Sequence, residues 1–231
     1  MDYLSKNLFV KNVIKLNIKD LKKMKTLFIP AKSNVDITNV LKKFKVKEKI
    51  GTITTIQFLD QVKKLKNFVF GGQILGCNIK NAEKINNKVN SFLYIGSGKF
   101  HPLLVAYKLK KPVYIANPLT NEISQITNED IKEYEKRRKG SILRFLTSNK
   151  FGIIVSTKSG QNNLNEAIGL QKKLKNSFIF ITDEIREEYL ENFPDIECWI
   201  NTACPRISLS KMINLEDVIP NLRRIYPECN T

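Results

Sequence analysis

Short apolar runs alternate with longer stretches whose apolar residues recur at helical spacing, along most of the chain. The runs Thr26-Leu-Phe-Ile-Pro30, Ile50–Ile56, Phe68–Phe70, Ser91–Ile95 and Pro112–Ala116 read as strands, rich in the β-branched and aromatic residues that suit a pleated surface. Between them, helices are expected from Asp36 to Lys43, from Gln57 to Lys66, from Ala82 to Val89 and through Leu109. A long charged helix, Ile131–Leu146, follows, and then the pattern restarts. Phe151–Thr157, Ser177–Thr182 and Glu197–Ile200 read as strands, with helices running to Leu174 and Asn192 between them. Strand starts at Ile50, Phe68 and Ser91 echo those at Phe151, Ser177 and Ile196.

Alternating strands and helices imply parallel sheets with helices on both faces. The expected fold class is therefore α/β: two similar parallel-sheet domains, an internal duplication of one unit. The expected division is a lead-in over 1–25, a first domain over 26–130 and a second over 131–231. A length of 231 residues suits two domains of roughly 100 residues each. The lead-in is basic and its apolar residues fit no single period.

In sheets of this kind ligands bind beyond the carboxyl ends of the strands, and each unusual loop here follows a strand. Gly71-Gly-Gln-Ile-Leu-Gly-Cys77 follows one, and Asn201-Thr-Ala-Cys-Pro-Arg206 follows another. Taken singly, Cys204 reads as a small apolar residue beside a proline that stops the strand. Two glycine- or proline-marked loops that each present a cysteine point instead to one shared site, with Cys77 and Cys204 facing a common cleft. Thiolates select zinc, copper(I) or iron–sulfur clusters. The only histidine is His101 and no CxxC pair occurs, so an iron–sulfur cluster is the natural candidate. Two cysteines do not complete one. Cys198 lies inside an apolar strand and reads as core; Cys229 lies in a polar tail without a supporting motif.

Gly96-Ser-Gly98 frees backbone N–H groups for an anionic or nucleotide ligand, although the same residues make a tight strand-to-helix turn. Gln161, in the loop Lys158–Gln161, carries the same two readings. Asp183 suits a ligand's hydroxyl or amine as well as a helix N-cap.

Net charge is +17. An acidic partner is one reading, a nucleic acid or an acidic protein. The lysines are spread in pairs without interleaved aromatic residues, which favours solvated helix faces. No run approaches the ~20 apolar residues of a membrane span. The N-terminus lacks the pattern of a signal peptide, so a cytoplasmic location is expected.

The stretches GGQILGC, FLYIGSGKFHPL, KPVYIANP, FGIIVSTKSGQ, ITDEI and WINTACPRI, in this order, resemble the diphthamide-synthase family, the 2-(3-amino-3-carboxypropyl)histidine synthases. The similarity covers about residues 26–210. It implies a four-iron–four-sulfur cluster held by three cysteines, one from each of three related domains. It also implies S-adenosylmethionine as substrate, and radical transfer of its 3-amino-3-carboxypropyl group to a histidine of translation elongation factor 2. By position, Cys77 and Cys204 correspond to the ligands of the family's second and third domains, and Gly96, Gly98, His101, Gln161 and Asp183 to the cofactor pocket. Asn117 stands where the family usually has aspartate, and Ser159 where it has proline. The family's first domain has no counterpart here. The expectation is an enzyme subunit whose third cysteine comes from a partner chain, in a dimer or heteromer. A non-catalytic accessory subunit and a basic nucleic-acid-binding α/β protein are the alternatives.

Overall fold

The structure is a computed structural model that describes residues 8–10 and 27–225. The chain divides into two compact units, Phe28–Tyr134 and Glu135 onward, the second joined by strand β1 (Leu8–Val10). Apart from β1, the lead-in over 1–25 lies outside the described residues, as does Cys229.

The first unit contains α1 (Thr38–Lys42), β2 (Ile50–Thr54), α2 (Leu59–Val62), β3 (Val69–Gln73), α3 (Lys80–Ile85), β4 (Ser91–Ile95), α4 (Phe100–Leu109), β5 (Val113–Asn117) and β6 (Glu122–Gln125). The sheet order is β3-β2-β4-β5-β6, parallel except for β6. Strand β4 shows how both faces are covered. Phe92 and Tyr94 pack with Ala82 of α3 and Leu104, Val105 and Ala106 of α4. Leu93 and Ile95 point the other way, onto Val40 of α1 and Val62 of α2. All four strand residues are at most 1 % exposed. Burying each such side chain contributes about 1.5–3 kcal/mol, which fixes the register of the central strands.

Helix α5 (Asn128–Thr147) leads onward. It starts three residues before the periodicity predicts, because Thr127 and Asp130 form a capping box. The Asp130 N–H donates to Thr127 Oγ1 at 3.2 Å, and the Thr127 N–H donates to Asp130 Oδ2 at 2.9 Å.

The second unit continues with β7 (Phe151–Ser156), α6 (Leu164–Lys173), β8 (Ser177–Thr182), α7 (Glu187–Glu191), β9 (Cys198–Asn201), β10 (Met212–Asn214) and α8 (Leu215–Ile225). Its sheet, β1-β8-β7-β9-β10, is wholly parallel. One face packs against Phe145 of α5, Ala167 and Leu170 of α6 and Val218 of α8; the other face carries Ile154, Trp199, Phe180 and Leu190. Without the outer strands β6 and β1, both sheets run second, first, third, fourth in chain order.

The strand expected at Thr26–Pro30 is absent from the described part of that segment. Leu27, Phe28 and Ile29 are 83 %, 71 % and 79 % exposed and pair with no strand. Pro30 has no N–H for a ladder, and the chain is instead tied down beyond it, where Ser33 N–H donates to the Gln57 carbonyl at 2.9 Å. The Gln57–Lys66 helix is shorter than predicted, a 3₁₀ turn at Ile56–Phe58 followed by α2. Among the described residues, no helix is long and apolar enough to cross a membrane.

Candidate functional site

In the first unit the site grows from the end of β3. The β2–β3 register slips between Thr52 and Ile53, a bulge that falls at Gly71-Gly72, where Gly72 has φ +87°. Ile74 then anchors the loop: it is 1 % exposed and its N–H donates to the Thr54 carbonyl at 2.8 Å. Leu75 and Asn78 exchange backbone bonds at 3.0 and 3.1 Å, closing a tight hairpin with Gly76-Cys77 at its tip. Cys77 is exposed. Gly76 is required here, since a Cβ would lie 1.7 Å from Phe100 Cε1.

Phe100 begins α4 and meets His101 edge-on at 5.4 Å between centroids. His101 in turn stacks on Tyr94 at 5.9 Å and 16°. Tyr94 closes the chain of contacts against Gly96, where a Cβ would lie 2.7 Å from the tyrosine Oη. Gly98 adopts φ +74°, a conformation glycine takes without strain. Lys99 is held to both oxygens of Asp130 at 2.9 and 3.0 Å. The fold thus brings Gly96, Gly98, His101 and the Cys77 loop together at the carboxyl ends of β3 and β4. Phe100 and Tyr94, which join them, lie in the stretch FLYIGSGKFHPL, but their linking contacts are not legible there.

A direct consequence concerns Gly76→Ala. The added methyl group must push the Phe100 ring away, at a cost of about 1–2 kcal/mol. The expected result is a small fall in the urea midpoint with a clear change in the rate at which a thiol reagent modifies Cys77. An unchanged rate would show that Phe100 does not set the hairpin.

In the second unit the Cys204 loop is built on Asn201, which is 2 % exposed. Its Nδ2 donates to the Cys204 carbonyl and to Asn214 Oδ1, each at 2.9 Å, and its Oδ1 accepts the Ala203 N–H at 2.9 Å. Thr202 is equally buried, its hydroxyl donating to the Ile154 carbonyl at 2.7 Å. Cys204 itself is partly exposed, and its carbonyl also accepts the Ile207 N–H at 3.0 Å. Ile207 lines a cavity of about 210 Å³ with Ser156, Lys158, Gln161, Asp183 and Arg186. Gln161 and Asp183 are thereby brought together beside the Cys204 loop. Asp183 is not the cap of α7, which starts at Glu187; its Oδ1 accepts the neighbouring Glu184 N–H at 2.9 Å. Arg186, at the cavity's rim, carried no signal in the sequence; Lys158 and Asn201 lie in loops that the sequence marks, but their places in the candidate site show only in the fold.

Cys198 sits at the opposite end of β9 from Cys204, fully buried. Burial pushes its thiol up to about 12, so it is a core group and not a ready thiolate. The folded state keeps this proton at pH values where the unfolded chain, near 9, releases it. Stability is therefore fully present below about pH 9 and is lost as pH rises towards 12, at about 1.4 kcal/mol per unit. Cys198→Ala is expected to flatten this alkaline loss by about 1 kcal/mol between pH 9 and 10 in urea titrations. An identical slope in the variant would exclude the thiol as its source.

Two mostly parallel sheets with helices on both faces, each presenting an accessible cysteine from a loop beyond its strands, define an α/β protein with two loop cysteines. The sequence profile described as "Putative diphthamide synthesis protein" matches residues 14–214, and the chain belongs to that family. It is 35 % identical over 209 residues to the 2-(3-amino-3-carboxypropyl)histidine synthase of Methanocaldococcus jannaschii, covering 82 % of this chain and 58 % of that one. The synthase of the same name from Pyrococcus horikoshii is 33 % identical, with 80 % and 59 % covered. The crystal structure of Dph2 from Pyrococcus horikoshii with a 4Fe-4S cluster superposes with a TM-score of 0.69 at 29 % identity, over 82 % of this chain and 63 % of that one. The chain thus spans about 60 % of the length of these relatives.

Proposed function

We propose that this chain is a component of the enzyme that transfers the 3-amino-3-carboxypropyl group of S-adenosylmethionine to a histidine of translation elongation factor 2, the first step of diphthamide synthesis. The observation that carries this reading is that each unit presents one accessible cysteine, Cys77 in the first and Cys204 in the second. Each is accessible, each sits on a loop that buried neighbours hold in shape, and each lies at a motif position in a chain similar to a Dph2 described with a 4Fe-4S cluster.

The donor chemistry fits such a cluster, since accessible thiolates are its ligands. Cys77 and Cys204 would hold two of its irons. Among the described residues no three His, Cys, Asp or Glu side chains gather as a metal site, and Cys198 is withdrawn into the core. The remaining thiolate is proposed to come from a partner chain. When bound and reduced by an external electron donor, the cluster would supply one electron for reductive cleavage of a carbon–sulfur bond of S-adenosylmethionine.

The chain's own residues would bind and orient the substrate. The cavity beside the Cys204 loop is smaller than the usual ~300–1,000 Å³ of a whole-ligand site, so it suits the amino-acid head alone. Lys158 would face the carboxylate, Asp183 the ammonium, and the Gln161 amide either one. The Gly96–Gly98 turn would offer backbone N–H groups, with His101 held beside it by Tyr94.

The test uses S-adenosylmethionine labelled in its 3-amino-3-carboxypropyl carbons, elongation factor 2, a reductant and the assembled complex under anaerobic conditions. Label should reach elongation factor 2 only when this chain is present. Transfer from methyl-labelled substrate instead would mark a methyltransferase and overturn the proposal.

A further inference from the structure

Nine of the first unit's seventeen lysines lie just before its parallel strands. The parallel strands β2, β3, β4 and β5 set their amino ends along one edge and their carboxyl ends along the other. The five residues before each of these strands, at 45–49, 64–68, 86–90 and 108–112, contain nine lysines and one glutamate. The five residues after each contain one lysine and one glutamate, and that lysine, Lys99, is paired with Asp130. The same windows before β7 to β10 hold five lysines and two acidic residues, so the lysines are denser before the strands of the first unit.

Helix C-termini favour nearby cations through their partial negative charge, but that effect fades within the last turn. It covers Lys108 of α4. It does not cover Lys45, Lys47 and Lys49, which follow α1 and lead into β2, nor Lys66, which leads into β3. These four and Lys88 are exposed and have no ion pair among the described residues. Lys111 is different: its ammonium is spent on the Val89 carbonyl at 2.6 Å and on that of Asn86.

We propose that this lysine rim is a docking edge for the phosphate backbone of a nucleic acid. Adjacent strands lie about 4.8 Å apart, so the rim runs about 15 Å across four strands. That is a line of cations matched to an extended polyanion whose charges recur at short regular intervals. No exposed aromatic ring stands among the lysines to stack bases: Phe44 and Phe68 pack against the core. The edge therefore reads phosphates and not sequence. It lies at the opposite strand ends from Cys77, so nucleic acid bound there leaves the cysteine loop open.

The test is anisotropy of a fluorescein-labelled, mixed-sequence 20-nucleotide RNA with the full chain, and with DNA of the same sequence. With about four phosphate contacts, affinity should fall about 50-fold between 50 and 200 mM salt, alike for RNA and DNA. The triple substitution Lys49→Glu, Lys66→Glu, Lys88→Glu should weaken binding at 50 mM at least about tenfold and flatten the salt slope. The glutamine counterparts should do so in part, and a matched thermal melt confirms that the variants fold. The control Lys172→Glu, Lys173→Glu, Lys175→Glu should bind as the parent does. Equal loss in the control, binding that ignores salt, or displacement of the RNA by polyglutamate at equal charge would each overturn the proposal. The last of these would assign the rim to an acidic protein.

Discussion

Cys77→Ala and Cys204→Ala should each strip the iron from the assembled complex. In the proposed arrangement three thiolates would hold the cluster, so losing one would leave two anchors. The expected fall is from about four irons per complex to below one, with loss of the brown colour of the reconstituted complex. The fold should survive both changes. Cys77 is exposed at a hairpin tip, and the bonds that shape the Cys204 loop reach its backbone carbonyl and not its sulfur. Cys198→Ala is the matched control and should keep its iron. Anaerobic reconstitution followed by iron and sulfide analysis gives the answer. Full iron retention in either loop variant would remove that cysteine from the ligand set.

Gly152→Val should be the most damaging single change to the second unit. Gly152 lies in the central strand β7, directly opposite Trp199 of β9. A Cβ there would come within 2.3 Å of Trp199 Cε3 and Cζ3. The indole cannot retreat, because Phe180 meets it edge-on at 4.7 Å and Phe193 at 6.1 Å. Overpacking of this kind costs about 3 kcal/mol or more. For a unit of about 100 residues that corresponds to a fall in melting temperature of about 12 °C or more. Differential scanning calorimetry of the variant and the parent chain measures the displacement. A shift of only a degree or two would mean that the tryptophan does find room.

The features legible in the sequence are those written in short-range pattern. The apolar run of β4 and the β-branched run of β2 name the central strands without any knowledge of their neighbours. Glycine marked the Cys77 loop and proline marked the Cys204 loop, because both residues restrict or free the backbone locally. Other elements depend on partners far along the chain. Strand β6, Glu-Ile-Ser-Gln, is polar because it closes a sheet edge, and β10 is only three residues long. Helix α8 is hidden by Pro220, which sits inside it. The exposed segment Leu27–Ile29 errs the other way: it has the composition of a buried strand and no sheet to join. Within the site, residue types were readable and their supports were not. Asn201 stands inside the stretch WINTACPRI, yet its role rests on bonds to Ala203, Cys204 and Asn214 that only the folded loop brings together. The stack of His101 on Tyr94 likewise needs α4 laid across the end of β4.

By this proposal Cys77 and Cys204 are two of the three thiolates of one cluster. Iron and acid-labile sulfide measured per chain, after anaerobic reconstitution and desalting, test it most directly. The 231 residues by themselves should retain no stable four-iron cluster, and the same chain reconstituted with a partner carrying a third cysteine-bearing domain should retain one per complex. A stoichiometric four-iron cluster on this chain alone would contradict the claim, as would a complex that binds its cluster equally well without Cys77 and Cys204.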